Sequence, residues 1–307
     1  MSAGAALAAL LLDAFLGEPK RAHPLVSFGR RALRLEARLR DRDDFEPHAR
    51  RYGLIAWLLL CLIPVAVLAL ILAVLPGWLS SLLGIVVLYF CIGLNSLGRH
   101  ARKVESALKN NDIEAARLAV GEIVSRDCEH MTEPEIIAAT VESILENTND
   151  AVIASLFWFL VLGPVGSLLH RLANTLDAMW GYRNPRYQAF GYWSAKFDDA
   201  LNALPAGVTV FVFAIAGNWK RSLHCSREQG GLTDSPNAGR VMAAGAGALG
   251  VRLGGPAVYD GRVLDKPVLG EGVAPARHHI ADALALVRRA VAILLVLVAV
   301  LNGVLGG

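Results

Sequence analysis

The sequence has little charge and lacks the short motifs of the common soluble enzymes. Only 19% of its 307 residues are charged, whereas a soluble domain carries about 25%. No GxxxxGK[ST] loop, no GxGxxG turn after a strand, no GxSxG elbow and no HExxH helix occurs in it. The sequence therefore gives no support for a familiar nucleotide-binding loop, a serine hydrolase or a zinc protease.

The cysteines and the net charge also exclude classes of protein. The four cysteines, at positions 61, 91, 128 and 225, form no CxxC pair, and two of them lie in apolar stretches. This pattern predicts structural thiols rather than a zinc site or a disulfide framework. The net charge is only +3 and no basic stripe is interleaved with aromatic residues, so no nucleic-acid partner is predicted.

Long apolar runs are the main feature that the sequence does have, and 54% of its residues are hydrophobic. A helix of about 20 apolar residues crosses about 30 Å of hydrocarbon. We predict an all-α, polytopic integral membrane protein, a single membrane domain over 1–307, with about five or six membrane-embedded helices and helical cytoplasmic loops. The apolar segments are about 3–16, 53–75, 79–95, 151–169, 204–219 and 288–305.

The distribution of lysine and arginine predicts the orientation. Segments 17–52 and 220–290 carry ten basic residues each, and cytoplasmic loops are enriched in such residues. The predicted location is the cell inner membrane, with cytoplasmic loops at about 17–52, 97–150 and 220–287. The polar stretch 172–202 is the exception, because it would lie outside if 151–171 spans the membrane.

Three carboxylates recur at helical spacing in the first candidate site. A capping box at 132–135 predicts a helix that begins near residue 133. Glu142, Glu146 and Asp150 then follow at intervals of four, and like charges at this spacing repel unless a cation lies among them. They directly precede an apolar segment, and ionisable groups at such a membrane boundary are usually functional. A solvated acidic face is the alternative.

Two further clusters offer hard oxygen ligands. Asn174 and Asp177 form one, and Asp198, Asp199 and Asn202 form the other. Mg²⁺ uses such ligands when it also holds substrate phosphates. Asn202 opens the next apolar segment, so N-capping is the competing interpretation of that residue.

A fourth candidate is a helix start at Ser235-Pro236, followed by Asn237, Gly239 and Arg240. Free backbone N–H groups at such a start, with the arginine beside them, suit a phosphate or a carboxylate. An ordinary helix start without a ligand is the alternative.

Asp13 and His23 flank the end of the first apolar segment. We regard them as candidates for substrate binding, although a lone histidine is more often structural.

These motifs, taken in order over most of the chain, resemble the adenosylcobinamide-phosphate synthase family, the CobD/CbiB proteins of cobalamin biosynthesis. Each motif is weak alone, but the whole set in this order is specific. The motifs are LLDAFLGEP at 11–19, HP at 23–24, TVES at 140–143, EN at 146–147, NTLDAMWGY at 174–182, DDALN at 198–202, SPNAG at 235–239 and GALGVRL at 247–253.

The resemblance implies an ATP-dependent, amide-forming C–N ligase. Its corrinoid substrate would be adenosylcobyric acid, whose propionate carboxylate is joined to aminopropanol or its O-phosphate with the help of Mg²⁺. Acids that hold Mg²⁺ neutralise the phosphates of ATP, and a base takes a proton from the attacking amine. We take Glu142, Glu146, Asp177 and Asp198 as the candidate catalytic residues.

The remaining site residues have two roles. The candidate metal ligands are Glu146, Asp150, Asp177, Asp198 and Asp199. The candidate substrate-binding residues are Asn147, Asn174, Asn202, Ser235, Asn237, Gly239, Arg240, Asp13 and His23. The sequence leaves open which acid is the base and which is a metal ligand.

The resemblance also bears on topology. If the motifs between 140 and 239 serve one site, 172–202 faces the cytoplasm. Gly163, Pro164 and Gly166 interrupt one flanking apolar segment, and Pro205 begins the other. Segments broken in this way often line a polar cavity. We therefore predict that one of them is embedded or broken, with a cytoplasm-facing active site.

Two other functions stay open. The first is a Mg²⁺–diphosphate-dependent intramembrane transferase, which also places acids on facing helices. The second is a non-catalytic membrane scaffold of the pathway. Membrane lipid is an expected partner in every case, and a homo-oligomer is among the options.

Overall fold

The computed structural model describes residues 3–19, 23–182, 184–259 and 261–305, which are mostly helical. In the described residues the helices are α1 (Ala3–Leu16), α2 (Pro24–Arg40), α3 (Phe45–Val74), α4 (Gly77–Cys91), α5 (Leu94–Lys109), α6 (Ile113–Gly121), α7 (Glu133–Thr148), a π-helical turn (Asn149–Ile153), α8 (Ala154–Trp180), α9 (Tyr192–Ala216), α10 (Trp219–Gln229), α11 (Pro236–Leu249) and α12 (His278–Leu305). Two strands, β1 (Leu253–Tyr259) and β2 (Arg262–Leu269), form an antiparallel pair.

The chain divides into two compact units, each built from two separate stretches. Unit 1 comprises Met1–Gly93 and Ala154–Asn202, and unit 2 comprises Leu94–Ile153 and Ala203–Gly307. The sequence predicts one membrane domain. The boundaries at 153/154 and 202/203 fall within continuous helical stretches, and the boundary at 93/94 falls in the short break between α4 and α5.

Five helical stretches of the described chain are long and apolar enough to cross a membrane. They are Phe45–Val74, Gly77–Lys109, Glu133–Trp180, Tyr192–Ala216 and His278–Gly303. Large apolar side chains are exposed on these stretches, for example Leu70 (69%), Val74 (82%) and Val296 (62%). Such surfaces suit lipid rather than water. The prediction of an all-α, multi-pass membrane protein is confirmed.

Helix α8 is broken at Gly163. This residue has φ 68° and ψ −158°, a conformation that is essentially restricted to glycine. The next residue is Pro164, which has no N–H to continue the helical hydrogen bonds. The predicted interruption of 151–169 is thus confirmed, and the two arms of α8 are 154–162 and 164–180.

The second arm of α8 turns back toward the first. A Cβ atom on Gly166 would lie 2.7 Å from the carbonyl oxygen of Trp158, although eight residues of straight helix span about 12 Å. Ser155 of the first arm donates to the carbonyl of Cys91 at 3.1 Å, and Ser167 of the second arm lies close to the Cys91 side chain. α8 therefore does not run straight from one end to the other.

A buried carboxylate in unit 1 fixes the segment that follows α8 against α2. Glu36 of α2 is 1% exposed, and its Oε1 accepts from Arg186 Nη2 at 2.9 Å and from Arg40 Nε at 2.8 Å. Tyr187 donates to the other oxygen at 3.3 Å. Residues 184–191 therefore lie on the same side of unit 1 as α2.

Unit 2 is arranged around α7, which packs against α5, α6, α11, α12 and β1. The sequence predicts helical loops over 220–287, but it does not predict the β1–β2 hairpin there. The last helix begins at His278, ten residues before the predicted apolar segment, because a polar first turn precedes the apolar part.

The conformation of Gly163 leads to a stability prediction. We expect Gly163→Ala to lower the free energy of unfolding by about 1–3 kcal/mol, because a Cβ is strained at this φ and ψ. Gly207→Ala is the matched control, since no atom lies within 4 Å of its added Cβ and alanine favours a helix. Thermal unfolding in detergent measures both variants. Equal stability of the two would contradict the break in α8.

Candidate functional site

In unit 1, a chain of hydrogen bonds surrounds the carboxylate of Asp198, which is 8% exposed. Asn202 Nδ2 donates to Asp198 Oδ2 at 2.9 Å, and Asn174 Nδ2 lies 3.4 Å from Oδ1. His170 Nε2 lies 3.1 Å from Asn202 Oδ1. An amide oxygen only accepts, so Nε2 of His170 carries the proton in this pair. The carboxylate is thereby held in one orientation.

Asn202 lies in the interior of α9, because this helix begins at Tyr192 and continues to Ala216. The alternative that Asn202 caps a helix is therefore wrong. Asn202 is 2% exposed. Its amide nitrogen donates to Asp198, one helical turn earlier on α9, and its amide oxygen pairs with His170 on the second arm of α8.

Asp177 and Asp199 are the other predicted acids of unit 1, and both are half-buried. The Asp177 carboxylate lies over the backbone of Gly181, where a Cβ would approach Oδ1 to 2.0 Å. Asp199 follows Asp198 on α9 and therefore projects in a different direction. Each of the two has further interactions of its own.

Asp13 and His23 lie near the α1–α2 junction. Asp13 is buried in α1 at 1% exposure. His23 caps α2, because its Nδ1 accepts from the backbone N–H of Leu25 at 3.2 Å. Burial lowers the pKa of His23, Glu18 raises it and Arg171 lowers it further, so the ring is neutral at pH 7 with its proton on Nε2.

In unit 2, Glu142 is 5% exposed and both of its oxygens are used. Oε2 accepts from Arg126 and lies 3.8 Å from Lys266 Nζ, and Oε1 accepts from the backbone N–H of Gly254 at 2.8 Å. Burial acts to lower the pKa of Arg126, but the charge and the hydrogen bond of Glu142, together with smaller effects of Tyr259 and Cys128, raise the pKa overall. Glu142 thus anchors the hairpin to α7.

The rest of the acidic face changes direction at the π turn. Glu146 and Asn147 lie on the last turns of α7, whereas Asp150 is the second residue of the π turn. A π turn has more than 3.6 residues, so Asp150 is rotated away from the predicted straight row. The charges of Asp150 and Glu142 nevertheless act on Glu146, as do those of Lys266 and Arg126.

Two asparagines beside these acids are oriented by local bonds. Asn147 Nδ2 donates to the carbonyl of Ser143 at 2.9 Å. Asn149 Nδ2 donates to Asp150 Oδ1 at 2.9 Å, and its oxygen accepts from Thr209 Oγ1 at 2.8 Å. The sequence analysis did not identify Asn149 as part of the site.

The predicted helix start at 235–240 is present, with Ser235 at the N-cap and Pro236 first in α11. Gly239 is buried against the carbonyl of Gly230, which would lie 2.4 Å from an added Cβ. Ser235, Asn237 and Gly239 are in this compact turn, whereas the side chain of Arg240 is exposed. Whether the turn binds an anion stays a prediction.

Unit 2 also contains a cavity of about 1520 Å³. It lies between α6, the segment 121–131 and strand β1. Charged groups of both signs line it beside apolar ones, among them Lys103, Arg117, Arg126, Glu129, Leu118 and Val258. Arg126 therefore separates this cavity from the buried Glu142.

One group of three potential metal ligands occurs in the described residues, at the start of α12. Ligand atoms of His278, His279 and Asp282 lie within 4.8 Å of one another. However, Nδ1 of His279 accepts from the N–H of Ala276 at 2.8 Å, so the lone pair of the neutral ring is already used. We interpret this group as a helix cap.

The comparisons with known proteins decide the family. The family model described as CobD/Cbib protein matches residues 6–287. The chain belongs to the CobD/CbiB family. Relatives named cobalamin biosynthesis protein CobD include that of Stutzerimonas stutzeri, 52% identical over 92% of this chain and 91% of that protein. That of Chromobacterium violaceum is 49% identical over 92% of this chain and 90% of that protein. That of Leptospira interrogans is 36% identical over 85% of this chain and 85% of that protein. No solved structure matches.

The predicted site residues of this CobD/CbiB chain fall into two groups. Unit 1 brings Asn174, Asp198 and Asn202 together around one carboxylate. Unit 2 carries the acids of α7 and the helix start at 235–240. In neither unit do three of the predicted acids converge within 4.8 Å among the described residues. The roles assigned to these residues stay predictions.

Several residues of the two groups were not identified from sequence. His170 precedes Asn174 by four residues on a helix, so spacing alone places both on one face. This spacing is a local signal from which His170 could have been identified in the sequence. Arg126 and Lys266 approach Glu142 from 16 and 124 residues away in the sequence, and no local pattern reports such pairs.

The buried Glu142 cluster leads to a second prediction. Glu142→Ala leaves Arg126 buried without its partner, which we expect to cost about 3–5 kcal/mol of stability. Amide hydrogen exchange over 253–259 should accelerate, because the Gly254 hydrogen bond is lost. Glu129→Ala, an exposed change in the adjoining segment, is the control.

The double variant Arg126→Met with Glu142→Met should recover much of this loss, since it removes both charges. Hydrogen exchange and thermal unfolding that do not distinguish Glu142→Ala from Glu129→Ala would show that Glu142 does not anchor the hairpin.

Proposed function

We propose that this chain is an adenosylcobinamide-phosphate synthase acting in cobalamin biosynthesis. It would join the propionate carboxylate of adenosylcobyric acid to the amine of aminopropanol, or of its O-phosphate, using ATP. Membership of the CobD/CbiB family supports the pathway. The observation on which the proposal depends is the buried carboxylate of Asp198, held between two asparagines.

Asp198 has the properties of a ligand for a hard cation. It is buried, and its two oxygens are oriented by the amides of Asn174 and Asn202. Mg²⁺ commonly binds through only one or two protein carboxylates together with substrate phosphates, so a cluster of three acids is not required. Mg²⁺ bound there would neutralise phosphate charge on ATP.

Asn174 and Asn202 would act as positioning residues in this arrangement. They fix the rotation of the Asp198 carboxylate, and His170 in turn fixes the amide of Asn202. A ligand oriented before the substrate arrives loses less conformational entropy when it binds. Asp177 and Asp199 lie on the same two helices and are the further proposed acids of this group.

We assign the base that accepts a proton from the amine to Glu146 rather than to Glu142. Both oxygens of Glu142 are already used by Arg126, Lys266 and Gly254. Glu146 is half-exposed and makes no hydrogen bond or ion pair in the described part of the chain. A base needs a free lone pair within reach of the proton it removes. Asp150 would share in metal binding.

The size of the cavity in unit 2 also supports a bulky substrate. Its volume of about 1520 Å³ exceeds the roughly 300–1,000 Å³ of pockets for drug-sized ligands. Its mixed charged and apolar lining suits a macrocycle with many amide groups. We propose a location in the cell inner membrane with these polar elements facing the cytoplasm, as the basic loops predict.

The test of this function is amide formation by the purified, detergent-solubilised protein. The substrates are adenosylcobyric acid, aminopropanol phosphate, ATP and Mg²⁺. We expect Glu146→Gln to lower kcat by about 10²–10⁴-fold, the usual contribution of a general base. Asp198→Asn should instead raise the Mg²⁺ concentration needed for half-maximal rate, by about 10–100-fold.

Asp43→Asn, an exposed acid of the segment between α2 and α3, is the matched control and should leave both quantities unchanged. A folded wild-type protein that forms no product would contradict the proposed ligase and favour a scaffold or a diphosphate-dependent transferase. Product formation that survives both substitutions would contradict the proposed roles of the two acids.

A further inference from the structure

Arg171 is a half-buried cation in unit 1 that the proposed reaction has not yet used. It lies on the second arm of α8, next to His170. Its Nε is enclosed by protein and has no hydrogen-bond partner in the described residues. No carboxylate of the described chain forms a salt bridge with it, in contrast to Arg40, Arg126 and Arg186.

Three side chains of unit 1 lie close enough to Arg171 to be affected by its charge. They are His23 at the start of α2, Cys91 at the end of α4 and His170. The charge of Glu18 also acts on His23. The guanidinium therefore lies where three elements of unit 1 meet.

An uncompensated arginine in this position is costly. Desolvating a charge costs several kcal/mol unless a partner and hydrogen bonds offset it. Ionisable groups in membrane segments accordingly tend to serve a ligand. The guanidinium is planar and offers paired N–H groups that match a carboxylate or a phosphate. An anionic ligand would supply the partner that Arg171 lacks.

His23 offers a second donor near this point. Its Nδ1 already accepts from Leu25, so the proton of the neutral ring is on Nε2. This N–H is not used by the helix cap. A cation with paired donors and one further N–H form a set suited to a single oxyanion.

We propose that Arg171, assisted by the Nε2–H of His23, binds an oxyanion of the substrate, either a carboxylate or a phosphate. The identity of the ligand rests on the proposed function, which supplies a carboxylate on the corrinoid and phosphates on ATP and aminopropanol phosphate. Both residues select and hold the anionic group.

The test is equilibrium binding to the purified full-length protein, without turnover. The probes are adenosylcobyric acid, aminopropanol phosphate and ATP with Mg²⁺, each alone, and inorganic phosphate and propionate by thermal shift. We expect Arg171→Gln to weaken binding of at least one probe by about 10- to 100-fold, the effect of losing hydrogen bonds to a charged group. Arg171→Lys should restore part of the affinity, because it keeps the charge without the paired donors.

Arg34→Gln, an exposed arginine of α2, is the control and should bind every probe as the wild type does. A loss confined to adenosylcobyric acid or propionate identifies a carboxylate site. A loss confined to ATP, aminopropanol phosphate or phosphate identifies a phosphate site. Gel filtration and thermal unfolding establish that each variant is folded, and Arg171→Lys replaces Arg171→Gln if the latter is not.

The outcomes separate this inference from the proposed function. If the wild-type protein forms the amide and the Arg171 variants bind all probes as the wild type does, the inference is overturned and the proposed function is kept. Protein that forms no amide but binds phosphate or propionate through Arg171 keeps the inference and overturns the function. Wild-type protein that binds none of the five probes overturns both.

Discussion

The reversal of α8 at Gly163 is the constraint on which the polar part of unit 1 depends. Backbone N–H and C=O groups in a membrane must be satisfied within the protein, so a helix is interrupted only where other groups surround the break. Here the carbonyl of Trp158 lies against Gly166, and the carbonyl of Cys91 accepts a hydrogen bond from Ser155 of the first arm. Because α8 turns back, its second arm, which carries Asn174 and Asp177, shares unit 1 with the basic helix α2.

Around this backbone, buried charge is satisfied group by group. Glu36 accepts hydrogen bonds from two arginines, and Glu142 accepts them from Arg126 and a backbone N–H. Asp198 accepts them from two side-chain amides. The first two pairings hold loops and a hairpin in place. Asp198 lies instead in a network with two asparagine amides and His170. This network orients its carboxylate, which we propose as a ligand for a metal ion.

The sequence predicted most of the helices because apolar runs and capping residues are local signals, as at 53–75 and 132–135. It also predicted the break in 151–169 from two glycines and a proline. It missed the hairpin, although Asp260-Gly261 between the segments Val258-Tyr259 and Arg262-Val263 is a known hairpin signal. Asn202 was ambiguous because a polar residue before an apolar run looks the same at a helix start and inside a helix. The partners of Glu142 come from distant segments, which only the folded chain brings together.

The most direct test of this account is the sidedness of the segment after α8. Single cysteines at Gln188, Asp43 and Trp78, in a variant without the four native cysteines, would be labelled with a membrane-impermeant maleimide in intact cells and in inverted vesicles. Trp78 follows the turn at the far end of α3, a helix about 45 Å long, and marks the opposite face. The account predicts that Gln188 reacts under the same conditions as Asp43. Labelling of Gln188 together with Trp78 would contradict it.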